Sequence, residues 1–274
     1  MRPPTKSLFT DLFESRDLFI NLTLRELRGK YKRSVLGWGW SLLNPIATMA
    51  IFTAVFGVLL KSKPNPGDPS GLHVFALFLL CGLLPWNYLS NCMNGGLAAL
   101  VFNAGLIKKV YFPRELLVSS NVASWLFSLA IEMTLLMVVL LGFGNMVLPW
   151  LPLVLVLVII QTVFVLGLAL ALSVLNVYFR DTQHLLSIVL QVWFYVTPII
   201  YPITLVQEHL HGPALKLYEA NPMVQFTEAY RNLLYDLRLP SAGTMIYLVV
   251  VSTLTLIGGW AIFRRFQGRI AEEL

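Results

Sequence analysis

The sequence predicts an all-α integral membrane protein with six transmembrane helices. Hydrophobic residues make up 57% of the chain and charged residues only 12%, whereas soluble domains are roughly one quarter charged. The mean hydropathy is +0.72. The apolar stretches are continuous and exceed the ~20 residues that a helix needs to cross a bilayer. Continuous stretches fit membrane-spanning helices and not the alternating strands of a β-barrel.

We expect a single transmembrane domain over residues 1–274, with an interface segment at 1–37, a helix bundle at 38–263 and a tail at 264–274. The six spans are predicted near residues 38–60, 72–101, 116–143, 151–177, 184–203 and 244–263. Before them, residues 7–33 mix apolar positions with charges. This pattern is typical of an amphipathic helix lying at the membrane interface, and an ordinary solvated lead-in is the alternative.

The positive charges predict the orientation. If both termini are cytoplasmic, 15 of the 20 lysines and arginines lie in inner segments. The five outer ones are Lys61, Lys63, Lys216, Arg231 and Arg238. Since cytoplasmic loops of membrane proteins are enriched in lysine and arginine, this count supports six spans with both ends inside. It also accounts for the net charge of +6 without a nucleic-acid partner.

Polar residues recur at helical spacing within several predicted spans. In the second span, Asn87, Ser90, Asn91 and Asn94 fall at i, i+3, i+4 and i+7 and therefore share one helix face. Similar stripes are Ser41, Asn44 and Thr48; Asn121, Ser124, Ser128 and Glu132; and His184, Ser187, Gln191 and Tyr195. Two interpretations are open: hydrogen bonding between helices, or a wet path compatible with a polyhydroxyl substrate.

Aromatic residues cluster near span ends or beside these stripes, and they also have two interpretations. The cluster comprises Trp38, Trp40, Trp86, Tyr88, Trp193, Phe194, Tyr195 and Tyr201. An interfacial belt of tryptophan and tyrosine is one explanation. Platforms for sugar rings, with weak contacts that let a substrate slide, are the other.

Enzyme signatures are missing from the sequence, so we predict no catalytic residues, no metal site and no cofactor in this chain. There is no G-x-x-x-x-G-K-[ST] phosphate loop and no cluster of aspartates. His209 and His211 lack partners at metal spacing, and Cys81 and Cys92 are expected to be small packing residues. Glu132 is the one acidic residue within a predicted span. A packing or gating role is favoured, because a proton relay needs a chain of such groups.

The predicted outer segment, 204–243, is too long for a plain hairpin. Within it, Met223, Phe226, Tyr230, Leu233 and Leu237 recur at helical spacing. We expect a pair of short helices that dip into the outer leaflet or cap the bundle. A folded external loop is the alternative.

Four motifs together resemble a known family. They are LRGKYKRSVLGWGWSLLNPI, FNAGLIKKVYFPRELL, NVYFRD and EANPM. In combination they are similar to the permease subunit of type 2 ABC exporters. The resemblance covers essentially the whole chain and is nearest to the polysaccharide branch, which moves O-antigen, capsule, teichoic acid or galactan.

The resemblance implies a homodimer of six-helix subunits, each paired with a separate cytoplasmic ATPase that binds ATP and Mg. It implies that the complex exports a lipid-linked polysaccharide across the bacterial plasma membrane and that this chain is a transport subunit and not an enzyme. Other possibilities are an exporter of a drug or lipid, a membrane-embedded glycosyl- or phosphotransferase, and a proton-coupled carrier. The last is disfavoured by the isolation of Glu132.

The resemblance also assigns site residues. The inner loop, 102–114, corresponds to the coupling helix that contacts the ATPase, with candidates Asn103, Leu106, Lys108, Lys109, Tyr111, Phe112 and Pro113. The outer segment corresponds to the external gate, with candidates Asn221, Pro222, Phe226 and Tyr230. The family's first and fifth spans line the channel. With the polar residues of the second span, the candidates are Asn44, Thr48, Trp86, Asn87, Asn91, Gln191, Trp193 and Tyr195.

Overall fold

A computed structural model describes residues 15–30, 39–52, 54–55 and 66–274. Within these residues there are helices and no strands. In chain order the helices are α1 (Arg16–Lys30), α2 (Gly39–Phe52), α3 (Phe75–Phe102), α4 (Ala104–Ile107), α5 (Glu115–Gly142), α6 (Leu151–Tyr178), α7 (Thr182–Val196), α8 (Ile203–His209), α9 (Pro213–Glu219), α10 (Pro222–Arg231), α11 (Ala242–Phe266) and α12 (Ile270–Glu273). A short 3-10 turn precedes α6, and a π-helical turn, Asn232–Asp236, follows α10.

The predicted all-α membrane fold is confirmed. Four helices in the described part of the chain are long and apolar enough to cross a membrane: α3, α5, the combined helix Leu148–Tyr178, and α11. Each begins and ends within a few residues of the predicted second, third, fourth and sixth spans. The six-span count itself stays a prediction, because α2 and α7 are too short to qualify in the described residues.

The predicted end of the fifth span is wrong. We expected it to continue to residue 203, but α7 ends at Val196. The reason is the Thr197–Pro198 pair, since a residue that precedes proline is disfavoured in the helical region. Thr197 is extended, with φ −94° and ψ 136°. The chain then turns through residues 197–201 before α8 begins.

The centre of the bundle is α3, which packs against α5 and α6 and, near its start, against α10. It is the most buried of the four candidate spans. We call the end of the bundle that carries residues 102–114 the inner end, and the end that carries residues 204–243 the outer end. The interface helix α1 packs along α5 through Leu22 and Leu27. The remainder of the predicted interface segment, residues 1–14 and 31–37, lies outside the described residues.

The outer segment differs from the pair of helices that we expected. It contains three short helices, α8, α9 and α10, followed by the π-helical turn. α8 and α9 bury none of their residues, whereas seven of the ten residues of α10 are buried. The first two helices therefore lie on the surface, and the third is part of the core.

The α6–α11 contact depends on two glycines. A Cβ atom at Gly259 would collide with the backbone carbonyl of Gly167, and a Cβ atom at Gly167 would collide with the backbone at Thr255. Small residues let membrane helices approach closely, so that backbone packing replaces side-chain packing. This contact fixes the sixth predicted span against the fourth.

We expect Gly259→Ala to destabilise the protein by about 1–3 kcal/mol, because an added methyl group overpacks a backbone contact that has no flexible neighbour to yield. Gly258→Ala is the matched control, since a Cβ atom there meets nothing within 4 Å. The control should be neutral or slightly stabilising. Thermal unfolding of the purified protein in detergent measures both, and equal melting temperatures for the two variants would contradict the close helix crossing.

Candidate functional site

A polar face runs along the otherwise buried helix α3. The positions of α3 that are not buried are Ala76, Leu80, Asn87, Ser90, Asn91, Asn94, Gly95, Ala98, Val101 and Phe102. These positions follow the helical repeat and form one stripe. We call its middle part, Asn87, Ser90, Asn91 and Asn94, the open face. The prediction that these four residues share a face is confirmed.

The amides of the open face make few hydrogen bonds to the described part of the chain. Asn94 donates a hydrogen bond to the Ser90 carbonyl in its own helix, at 2.8 Å. Among the described residues, the side chains of Asn87 and Asn91 have no hydrogen-bond partner. Amides without a hydrogen-bond partner are costly against lipid, so these part-exposed side chains need a partner beyond the described residues.

The helix α7 is held to the bundle by few residues and presents a second polar stripe. Only Leu186 and Leu190 are buried. Gln191 and Tyr195, two of the predicted channel residues, are exposed, and they share a face with His184 and Ser187. Their role in a channel stays a prediction.

Trp86, which we predicted to line the channel, is buried between α3 and α7. Its side chain is only 5% exposed and packs edge-on against Trp193 and Phe194, with ring centroids 6.0 and 5.6 Å apart. Edge-to-face contacts of this kind stabilise packing beyond the buried area. Trp86 and Trp193 thus join α3 to α7, and the burial of Trp86 does not fit a ring that lines an open path. In α2, Thr48 is half-buried, and the side chain of Asn44 lies outside the described residues.

At the outer end, α10 is bonded into the core. The Tyr230 hydroxyl donates to Gln161 Oε1 at 2.9 Å, and Gln161 Nε2 donates to the Pro85 carbonyl at 2.8 Å. Tyr230 and Gln161 are fully buried. A chain of hydrogen bonds therefore connects the outer segment, through α6, to the middle of α3.

The other predicted gate residues lie on the same helix and also have structural partners. Phe226 is fully buried and packs against Phe164, with ring centroids 5.8 Å apart. Asn221 caps α10 by accepting a hydrogen bond from the Met223 amide at 3.0 Å, and Pro222 occupies the first turn, where a missing N–H is tolerated. These residues attach the outer segment to the bundle, and a role in gating stays a prediction.

At the inner end, the loop 102–114 presents an exposed surface of mixed character. Phe102 and Tyr111 are each 86% exposed, and Lys108 and Lys109 are exposed between them. Ile107 is buried and anchors the short helix α4. Exposed aromatic rings on one anchored loop are typical of a protein-docking surface, where aromatic side chains are enriched.

The remaining predicted coupling residues are partly covered. Leu106 and Phe112 pack against the core, and Pro113 is half-buried. Asn103 donates to the Ala99 carbonyl and accepts a hydrogen bond from Arg25 of α1, both at 2.8 Å. Asn103 thus connects the inner loop to the interface helix. This contact was not predicted from the sequence.

A lysine from α1 lies on the same side of α5 as the acidic residue that we noted in the third predicted span. Lys30 Nζ lies 3.2 Å from the centroid of the Trp125 ring, and it has no hydrogen-bond partner among the described residues. Glu132 lies seven residues after Trp125 and therefore on the same face of α5. Burial lowers the pKa of Lys30 to about 7, and the negative charges of Glu26 and Glu132 oppose this shift.

Two functional candidates were missed by the sequence reasoning. Gln161 lies in the most apolar span, and the few polar residues of that span, which include Thr162, Ser173 and Asn176, form none of the stripes noted in the sequence. Arg231 was counted as an outer-loop charge, yet it is 3% exposed and pairs with Glu228 at 3.1 Å. The i, i+3 spacing of Glu228 and Arg231 was the available signal. In the described part of the chain, no group of three or more His, Cys, Asp or Glu residues is arranged to hold a metal ion.

Comparison with known proteins gives consistent matches along the chain. The ABC-2 type transporter family matches residues 17–235. The O-antigen export system permease protein RfbA of Myxococcus xanthus is 33% identical over 268 residues, which are 97% of this chain and 99% of the relative. A protein of the same name from Klebsiella pneumoniae is 29% identical over 94% of this chain and 95% of its own. The polysialic acid transport protein KpsM of Escherichia coli is 24% identical over 89% of this chain and 91% of its own.

We expect Tyr230→Phe to destabilise the protein by about 1–3 kcal/mol, because it leaves the buried Gln161 Oε1 without a donor. Tyr178→Phe is the matched control. The Tyr178 hydroxyl is buried and has no partner among the described residues, so its removal should have little effect. The measurement is again thermal unfolding in detergent. A control that loses as much stability as Tyr230→Phe would show that the hydrogen-bonded chain contributes nothing specific.

Proposed function

Because the chain belongs to the ABC-2 type transporter family, we propose that it is the membrane subunit of an ATP-driven exporter of a lipid-linked polysaccharide. The observation that carries this proposal is the match over nearly full length to relatives named as O-antigen export permeases. A relative named for polysialic acid transport adds a second polysaccharide. The bacterial plasma membrane is the proposed location, with both termini on the cytoplasmic side.

The energy source belongs to a separate chain. The sequence contains no phosphate loop, so ATP and Mg are bound by a cytoplasmic ATPase, and two copies of it serve two copies of this permease. The inner loop supports this arrangement through its exposed rings and lysines. The chain itself performs no chemical reaction; it binds, guides and releases the polymer.

A second copy of the chain completes the transport path. In one subunit the polar stripe of α7 is exposed and the open face of α3 is part-exposed. Facing lipid, their amides and hydroxyls would lose hydrogen bonds to water without compensation. Facing each other across a dimer, they would line a polar passage in which weak, repeated contacts let a sugar chain slide.

Two connections at the inner end transmit motion from the ATPase. The inner loop continues directly from the C-terminal end of α3, and Asn103 is bonded to Arg25 of the interface helix. A push on the loop therefore reaches α3 along its axis and reaches α1 through one charge-assisted hydrogen bond. Closure of two ATPase subunits would tilt the two permease halves and open the passage between them.

We expect the double variant Lys109→Glu/Tyr111→Ala to weaken binding of the partner ATPase by tenfold or more, because truncation of an interface tyrosine alone often costs about 2 kcal/mol. Co-purification of the ATPase with the tagged permease and the amount of polysaccharide at the cell surface should both fall. Folding should be unaffected, since both side chains are exposed.

The matched control is Lys216→Glu/Leu217→Ala on α9, which changes an exposed lysine and an exposed apolar residue at the outer end. It should leave co-purification unchanged. If the ATPase is lost from the control and retained by the inner-loop variant, the proposed orientation and the coupling surface are both wrong.

A further inference from the structure

Arg231, the last residue of α10, is a buried cation at the outer end of the bundle. Its side chain is 3% exposed. The guanidinium lies over the ring of Phe78, 3.7 Å from the centroid. Gly82 of α3 leaves room for it, since a Cβ atom there would lie 3.3 Å from Arg231 Nη2. A charge placed this deeply needs hydrogen-bond partners; Nη1 and Nη2 have them, whereas Nε has none among the described residues.

The donors of Arg231 are directed at the turn that follows α7. Nη1 donates to the Pro198 carbonyl and Nη2 donates to the Ile199 carbonyl, the latter at 2.7 Å. Nη1 also lies 3.1 Å from Glu228 Oε1. Because α7 ends at Val196, these carbonyls have left the helix, and a charged donor satisfies them. Arg231 therefore holds the chain where α7 stops.

A second hydrogen bond joins the same two helices at the opposite end of α10. Trp193 Nε1 donates to Asn221 Oδ1 at 2.8 Å, and the same oxygen caps α10 through the Met223 amide. The last turn of α7 and the turn after it are thus bonded to both ends of α10.

The two helices differ in how firmly the rest of the molecule holds them. α7 buries only Leu186 and Leu190, and most of its surface is exposed. α10 is buried and is bonded to α6 through the Tyr230–Gln161 pair. The position of the outer end of α7 is therefore set by its bonds to α10 together with the packing of Trp193 and Phe194 against Trp86 of α3, and the turn after α7 is bonded to α10 by Arg231.

We propose that Arg231 is a positioning residue that fixes the outer end of α7 to α10, so that a displacement of α7 reaches the outer segment instead of being absorbed in the turn 197–201. This proposal rests on the proposed function in its assignment of α7 to the transport path. The bonds to Pro198 and Ile199 make the turn and α10 move together. Without these two hydrogen bonds, α7 can shift while the helices of the outer segment keep their positions.

The test compares Arg231→Met with Arg238→Met in the complete complex of permease and ATPase. Arg238 is the matched control, an outer arginine whose side chain is 51% exposed and lies 3.4 Å from Asp236. Arg231→Met removes the hydrogen bonds to Pro198, Ile199 and Glu228. We expect at least tenfold less polysaccharide exported per folded complex, because the loss of one charge-assisted hydrogen bond alone implies a factor of about ten. ATP hydrolysis per complex should be unchanged. The control should match the wild type in both measurements.

A spin label at Val196→Cys provides a readout that needs no substrate. Val196 is the exposed last residue of α7, and both native cysteines, Cys81 and Cys92, are buried. Arg231→Met should raise the mobility of this label. A label at the exposed position Ile246 of α11 should not respond. Arg231→Lys, whose single ammonium cannot bond both carbonyls and Glu228 in the same geometry, should give intermediate values and serves if the methionine variant does not fold.

The outcomes separate this proposal from the proposed function. Lower export at constant ATP hydrolysis, with a more mobile label, supports the positioning role. A proportional fall in export and hydrolysis, with an unchanged label, overturns it and leaves Arg231 as a residue needed only for folding. If the wild-type complex hydrolyses ATP without exporting polysaccharide, the proposed function fails, and the label mobility alone supports or overturns the role of Arg231.

Discussion

The structure depends most on the hydrogen-bonded chain from Tyr230 through Gln161 to the Pro85 carbonyl. It lies where there is no water to take the place of a missing partner, so each of its polar groups must be satisfied by the others. These hydrogen bonds make α10, a helix of the outer segment, part of the core. They fix the positions of α3, α6 and α10 relative to one another. The short helices α8 and α9 attach to that core and contribute nothing to it.

The two ends of the molecule are therefore built differently. At the outer end, hydrogen bonds and buried aromatic rings concentrate on α10, and Arg231 extends this network to the turn after α7. At the inner end, Ile107, with the partly buried Leu106 and Phe112, anchors a loop on which Phe102, Tyr111 and two lysines are exposed. The hydrogen-bonded outer end and the exposed inner loop are consistent with a protein that is driven by a partner bound at its inner end. Between them, the open face of α3 leaves amides for a substrate or a second subunit.

Local patterns in the sequence predicted what is local in the structure. The shared face of Asn87, Asn91 and Asn94 follows from spacing within one helix, and four span boundaries follow from apolar length. The end of α7 is also determined locally, by the Thr197–Pro198 pair. We predicted a longer helix because we used only the length of the apolar stretch. Helical spacing predicted an apolar face that contains Phe226 and Tyr230. It did not predict their partners Phe164 and Gln161, or the burial of Arg231 against Phe78, because these partners lie far away in the chain. The count of positive charges assigned Arg231 to an outer loop, because such a count contains no information on which residues are in contact in the folded protein.

The central claim is that this chain, with a separate ATPase, moves a lipid-linked polysaccharide through the membrane. The most direct measurement uses vesicles that contain the purified permease and its ATPase, with the lipid-linked polymer supplied on the ATPase side. A lectin or glycosidase confined to the opposite compartment reports arrival of the polymer. The account predicts arrival only with hydrolysable ATP, and none from vesicles that lack the ATPase. Arrival without ATP, or transfer of sugar units by the permease alone, would contradict it.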